Sequence, residues 1–185
     1  MATGVAVTTG YLVGSLPVAV LVGRRHDLDP RAVGDANPGY WNVRQHLGPR
    51  RAAPVFLGDV AKGVAAALVG VRAAPEGAWG VGYVAVGAAM VGHAWPLFAG
   101  FRGGRSILTW AGGTCVLAPV PAALAVGLFA AGAVGGRFEW GARAGVFVFP
   151  VAQLLIEGPH RSAATGALMS IIGMRFALAG SGDQR

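Results

Sequence analysis

The chain has 185 residues, 54% of them hydrophobic and only 12% charged, with a mean hydropathy of +0.56. Soluble domains carry roughly a quarter charged residues, so a water-soluble fold of this composition would expose apolar surface over much of its exterior; the bilayer is the solvent that tolerates it. The 31 glycines follow no Gly-X-Y period, the single Cys115 offers no disulfide framework, and the net charge of +7 sits in short loops between apolar segments. Collagen, disulfide scaffold and nucleic-acid module are thereby set aside, and orientation determinants and anion-binding groups remain as uses for the charge.

Residues 4–23 are apolar with no basic residue before them, and Arg24 and Arg25 follow. A cleaved signal peptide carries its positive charge first, so this pattern predicts a retained helix with its N-terminus outside. Residues 24–53 form the one long polar segment, and Arg24, Arg25, Arg31, Arg44, Arg50 and Arg51 place it inside. Apolar stretches follow at about 54–71, 79–99, 107–135, 142–156 and 163–180. The stretch 107–135 is long for one crossing and contains Pro119 and Pro121, which disrupt a helix interior. Divided into 107–118 and 120–135, it leaves Arg102, Arg105, Arg137, Arg143, Arg175 and Arg185 inside with the loop arginines, and only Arg72 and Arg161 outside. The expectation is one polytopic all-α membrane domain over 1–185. It has about seven transmembrane segments, N-terminus outside and C-terminus cytoplasmic, and short pieces such as 107–118 are half-spans lining a cavity.

Four polar groupings exceed what an anchor needs. Gly14-Ser15-Leu16-Pro17 interrupts the first span; a kinked helix with a back-bonded serine is the plain alternative to a site. The segment from Gly34 through Asp35, Asn37, Pro38, Gly39 and Asn42 to Arg44 has the turn chemistry of an anion nest, or of an ordinary turn-rich loop with interfacial Tyr40 and Trp41. Asp59 and Lys62 stand three apart on one helical face, as an ion pair or a site. His93 precedes Arg102-Gly103-Gly104-Arg105-Ser106 at a helix start, where free N–H groups, glycines and guanidinium charge suit phosphate; a basic turn anchoring helix ends is the alternative. On the seven-segment topology all four lie toward the cytoplasmic side.

The order of these motifs resembles the bacterial acyl-phosphate:glycerol-3-phosphate acyltransferases of the PlsY type. That family has Gly-Ser-x-Pro in its first span and a loop of the form Gly-Ser-Gly-Asn-x-Gly-Ala-Thr-Asn-Val. Asp-x-x-Lys-Gly, Gly-His-x-Phe-Pro-x-Phe and Phe-Lys-Gly-Gly-Lys-Gly follow. The matching stretches here are Gly14 to Pro17, Gly34 to Val43, Asp59 to Gly63, Gly92 to Phe98 and Phe101 to Ser106. The resemblance implies transfer of a fatty acyl group from acyl phosphate to glycerol 3-phosphate, giving lysophosphatidic acid for phospholipid synthesis, at the cytoplasmic face of the bacterial inner membrane. It implies no cofactor and no metal, because acyl phosphate is already activated, and no nucleic-acid partner; the remaining partners are membrane lipids. By carry-over, Ser15, Asn37, Arg44 and His93 are the catalytic candidates. Asn42, Lys62, Arg102, Gly103, Gly104, Arg105 and Ser106 are the candidates for phosphate or substrate binding.

The chain departs from the pattern at defined places. Asp35 stands where the family has Ser, and its carboxylate opposes anion binding unless an arginine pairs with it. Ala36, Tyr40 and Trp41 replace smaller or hydroxyl residues, Arg102 and Arg105 replace Lys, and Ser106 replaces Gly. The family's C-terminal Ser-Leu-x-Ser and His-Arg-x-Asn stretches are missing. These departures keep a second expectation in play, a non-catalytic or substrate-altered membrane paralogue that binds lipid or a partner. A small transporter is disfavoured by the absence of an internal repeat.

Overall fold

The computed structural model describes residues 2–180; Arg185, placed by the charge pattern among the inside arginines, lies outside them. Among the described residues all regular secondary structure is helical. In order, the helices are α1 (Ala2–Gly14), α2 (Val18–Arg24), α3 (Tyr40–Leu47), α4 (Pro49–Ala73), α5 (Gly80–Ala94), α6 (Ile107–Leu117), α7 (Pro119–Val134), α8 (Phe138–Glu157) and α9 (Pro159–Gly180), with a single 3₁₀ turn at Leu97–Ala99.

Proline and glycine set most of the boundaries. Pro17 has no N–H to give the preceding turn, and the first apolar stretch breaks into α1 and α2 around it. Pro119 begins α7 two residues after α6 ends, so 107–135 is divided as its prolines predict. Gly48 and Gly158 take positive φ values of 81° and 83°, and Pro49 and Pro159 start the helices that follow.

Among the described residues, four helical stretches are long and apolar enough to cross a bilayer: Ala2–Arg24 taken as one broken helix, Pro49–Ala73, Gly80–Ala99 and Pro159–Ala179. The apolar α6 and α7 have 11 and 16 residues. At 1.5 Å per residue α6 reaches only about 16 Å, half of a hydrocarbon core. Helix α8 has 20 residues but carries Glu139, Arg143 and Glu157.

Small residues bring the helices together. On α1, Gly10 and Gly14 lie where a Cβ would run into the backbone of Ala85 and Ala89 on α5, and Gly92 returns the fit against Tyr11. Between α4 and α6, Gly63 faces the carbonyl of Thr109 and Gly112 that of Val60. Backbone-to-backbone approach of this kind supplies dispersion where lipid removes the hydrophobic drive between helices. Tyr83, Val86, Met90, Leu117 and Leu168 close the centre of the bundle. Helices α7 and α8 pack mainly on each other, and Trp110 meets Phe149 edge-on at 5.4 Å between centroids. Val134, Phe147 and Leu155 are among the large apolar side chains left facing outward, as lipid requires.

Outside the spans, the 25–39 loop is tied down by two side chains. The Arg31 guanidinium donates to both Asp29 carboxylate oxygens at 2.9 Å, and the Arg31 backbone N–H donates to Oδ1. These bonds hold the Asp29 carboxyl down at about 2, from an ordinary value of 3.8. The buried Asn42 amide donates to the carbonyls of Pro30, Val33 and Asn37 at 2.8, 3.0 and 3.1 Å.

Candidate functional site

The centre of the site is a buried trio. Asp59 and Lys62, one turn apart on α4, pair at 2.8 Å from Nζ to Oδ1. His93, on the last turn of α5, places Nδ1 3.5 Å from the same carboxylate oxygen and 3.5 Å from Lys62 Nζ. All three side chains are less than a tenth exposed. Two charges in a low-dielectric interior persist only when they satisfy each other, which the short Lys62–Asp59 bond does. Their helical spacing makes the pair, and the packing of α4 on α5 brings His93 to it.

Two openings flank the trio, and Asp59 and His93 line both. One, with a volume of about 20 Å³, is bordered by Lys62, Arg102, Gly103, Gly104, Gly14 and Pro17. It has room for a single water. The other, of about 290 Å³, is bordered by Asp35, Asn37, Tyr40, Arg105 and Ser106. A larger hollow of about 790 Å³ adjoins it, sharing Asp35, Asn37 and Arg105 and adding Arg175 and Phe176 from α9.

The Gly103-Gly104 segment lies flat against the end of α5. The Gly104 N–H donates to the His93 carbonyl at 3.1 Å, and a Cβ on Gly104 would meet the His93 imidazole at Nε2. These glycines therefore serve close approach to His93 as well as any anion. From the other side, Arg175 donates through Nε to the Gly104 carbonyl at 3.1 Å and through Nη2 to the Gly103 carbonyl at 2.8 Å, with its guanidinium 5.3 Å from the Trp95 ring centroid. Arg105 pairs with Asp35, Nη1 to Oδ2 at 2.9 Å, and stacks on Phe176 at 4.5 Å.

The structure thus gathers Lys62, His93, Arg102, Gly103, Gly104, Arg105, Ser106 and Asn37 around adjoining openings. Within that group Ser106 is a helix-cap residue with φ 62°, and its hydroxyl donates to the Met90 carbonyl at 2.7 Å, which fixes it against α5. Asn42 is beneath the loop as its clamp, not in an opening. Ser15, a catalytic candidate by the family resemblance, is fully buried against Gly92 and borders neither opening; its Oγ has no hydrogen-bond partner among the described residues, so the alternative of a back-bonded serine is not seen either. Arg44 points outward from α3, exposed, with its guanidinium 4.8 Å from the Trp41 ring centroid. Trp41 and Arg44 lie about one turn apart on the exposed face of a short helix whose buried face, with Asn42 and Val43, packs on α4.

Arg175 is the site residue that motif reading passes over. Its signal was physical: an arginine set within the apolar run 163–180 is an ionisable group at membrane depth, which marks a site by default.

An all-helical, multi-pass membrane protein with a ring of cations around a buried Asp–Lys–His trio is the class that this fold and site define. The sequence matches the glycerol-3-phosphate acyltransferase family model over residues 4–179, and the chain belongs to that family. It is 45% identical over 124 residues to a glycerol-3-phosphate acyltransferase of Rubrobacter xylanophilus, covering 67% of this chain and 60% of the relative. It is 43% identical over 126 residues to one of Symbiobacterium thermophilum, covering 68% and 60%. The matched region thus spans about 60% of the length of these relatives. In fold, the chain is similar to crystal structures of the integral membrane acyltransferase PlsY. The glycerol 3-phosphate form superposes with a TM-score of 0.80 at 24% identity, and the lysophosphatidic acid form with 0.77 at 22%; each covers 95% of this chain and 88% of the other.

Proposed function

We propose that this protein transfers a fatty acyl group from acyl phosphate to glycerol 3-phosphate, releasing lysophosphatidic acid and inorganic phosphate. The observation that carries the reading is the convergence of Lys62, Arg102, Arg105 and Arg175 with His93 around openings at the ends of apolar helices. Both substrates carry phosphate and one carries a lipid tail, and a basic pocket between apolar helices suits that pair. The chain's kinship with glycerol-3-phosphate acyltransferases supports the same reading.

In the reaction, a glycerol hydroxyl of the acceptor attacks the acyl carbonyl. The new ester C–O bond forms, the bond from carbonyl carbon to phosphate oxygen breaks, and the hydroxyl proton ends on the departing phosphate. Acyl phosphate is an activated donor, so the work of the protein is orientation and charge neutralisation. Arg102 and Arg105 hold phosphate oxygens through their planar forks. In the tautomer that carries its proton on Nδ1, which faces the Asp59 carboxylate at 3.5 Å, His93 presents the lone pair of Nε2 beside Gly104, placed to take the hydroxyl proton and pass it on. Lys62 holds the Asp59 carboxylate in place through their 2.8 Å pair, Asn37 offers its amide to the acceptor, and Gly103 and Gly104 let the substrate approach the backbone.

The topology that accompanies this reading has seven segments, with α6 and α7 as short ones, the N-terminus outside and the site facing the cytoplasm from the bacterial inner membrane. It keeps Arg102, Arg105 and Arg175 on one side and Arg72 and Arg161 on the other.

The test is turnover by the purified protein, followed as phosphate released from acyl phosphate. Release that depends on glycerol 3-phosphate is expected. A folded preparation that releases no phosphate with glycerol 3-phosphate present overturns the reading.

A further inference from the structure

The Asp35 side chain lies within the chain's own candidate anion site, paired with Arg105. The residue stands in the 34–37 turn between Gly34 at φ 58° and Ala36 at φ 53°. Left-handed backbone at an alanine costs roughly 1–2 kcal/mol, so the turn is held by its contacts. One carboxylate oxygen, Oδ1, accepts the backbone N–H of Asn37 at 3.3 Å. The other, Oδ2, pairs with Arg105 Nη1 at 2.9 Å. A turn N–H and a guanidinium are the donors that an incoming phosphate would use at this place, and both are already engaged by a side chain.

The position of the pair gives this a consequence. Asp35, Asn37 and Arg105 border both the 290 Å³ opening that contains Asp59 and His93 and the 790 Å³ hollow beside Arg175. The ion pair is the partition between them. Asp35 is nearly half exposed and Arg105 about a fifth, so the aspartate is the partner free to swing away while Phe176 stacks on the arginine. Arg105 is also under-used by its present partner. Its buried Nε has no hydrogen-bond acceptor among the described residues, because the carboxylate reaches only Nη1. A phosphate, with three terminal oxygens, can bridge Nε and an Nη together, which a carboxylate already accepting the Asn37 N–H does not do here.

We propose that Asp35 is a specificity-determining residue whose carboxylate occupies the anion seat at Arg105 and competes there with the phosphate of the substrate. The inference rests on the acyltransferase reading for the identity of that substrate, and on the Asp35–Arg105–Asn37 geometry alone for the competition. Displacement of Asp35 is a fixed cost for every phosphate ligand. The unmodified chain therefore binds phosphate more weakly than its ring of cations would allow, and favours ligands that take both Nε and an Nη of Arg105.

The test compares the full-length protein with Asp35→Asn, Asp35→Ser and Asp35→Asn/Arg105→Ala in detergent micelles, with thermal melts to confirm folding. Inorganic phosphate is the probe, titrated calorimetrically, and KM and kcat for glycerol 3-phosphate are measured beside it. Both single variants should bind phosphate roughly three- to tenfold more tightly, the scale of a partly exposed charge pair. KM should fall by a similar factor while kcat changes little, and the double variant should lose the gain. Asparagine keeps an oxygen for the Asn37 N–H and serine shortens the side chain, so one variant reports if the other does not fold. Unchanged or weaker phosphate binding in a folded Asp35 variant overturns the proposal, as does a gain that survives Arg105→Ala. If the unmodified protein has no turnover, the acyltransferase reading fails by itself, and the phosphate titrations still decide the competition.

Discussion

Arg175, near the end of the last helix, donates to the carbonyl of Gly104, seventy-one residues earlier in the chain, at 3.1 Å, and to its neighbour Gly103 at 2.8 Å. The two bonds fasten α9 to the loop that lies against His93. A residue outside the motif-bearing part of the chain thus fixes the segment on which the proposed chemistry depends. Hydrogen bonds from a charged donor are worth about 1.5–3 kcal/mol. Arg175→Ala should therefore lower kcat/KM roughly 10- to 100-fold, through kcat more than KM because the loop, not the ligand, loses its hold. Arg175→Lys should recover part of the loss with a single donor. Steady-state kinetics on folded variants checks it; an Arg175→Ala enzyme with unchanged kcat would show that the loop holds itself.

The pair of Asp59 and Lys62 makes a prediction about stability. Removing one partner leaves the other charged and buried, which costs about 3–5 kcal/mol. Asp59→Asn and Lys62→Met should each lower the melting temperature sharply in detergent. Asp59→Asn/Lys62→Met should regain most of the loss while remaining inactive, since His93 then has no carboxylate to orient it. Additive destabilisation in the double variant would mean that the two residues do not act as a pair.

Arg44 separates what the motif suggested from what the fold provides. The Arg44–Trp41 stack on the outer face of α3 is worth about 0.5–1 kcal/mol. Arg44→Ala should leave kcat/KM within about fivefold of the unmodified protein, the scale set by an exposed cation–π stack. Arg105→Ala should reduce it by far more. Measured side by side, equal losses would place Arg44 at the substrate after all.

The loop carries a titration of known sign. Asp29 is held at about 2 by Arg31, against an ordinary value of 3.8. A depressed carboxyl contributes stability that is fully present above about pH 4 and is lost as pH falls toward 2. The contribution is small because the group is exposed to solvent. Arg31→Ala should return the Asp29 carboxyl toward 3.8, readable as the carbon-13 shift of that carboxyl against pH. A midpoint still near 2 would assign the depression to something other than Arg31.

Much of this architecture was legible in the sequence because the bilayer imposes simple rules. Low charge density announced the membrane, and Pro17 and Pro119 marked real helix boundaries. The Asp59–Lys62 pair followed from helical spacing alone. What spacing does not give is which face of a short helix turns inward. Asn42 and Arg44 are two residues apart on α3 and point to opposite fates, one clamping the loop and the other stacking outside. The hydroxyl of Ser106 reads as a phosphate donor until the backbone of α5 passes within 2.7 Å of it. The role of Arg175 depends on a contact across most of the chain, and no local pattern encodes that. Asp35 was visible as a conflict in the sequence, and the structure shows the pairing with Arg105 that resolves it.

The most direct test of the central claim is product formation in two matched variants. The protein, reconstituted in lipid with acyl phosphate and glycerol 3-phosphate, should form lysophosphatidic acid and inorganic phosphate in equal amounts. Arg72→Ala, ten residues and about 15 Å along α4 from Lys62, should retain that activity, and Arg105→Ala should lose it. Equal products in the unmodified protein and Arg72→Ala, with none in a folded Arg105→Ala, is the predicted result. Lysophosphatidic acid made equally well by both variants, or by none of the three folded proteins, would contradict the account.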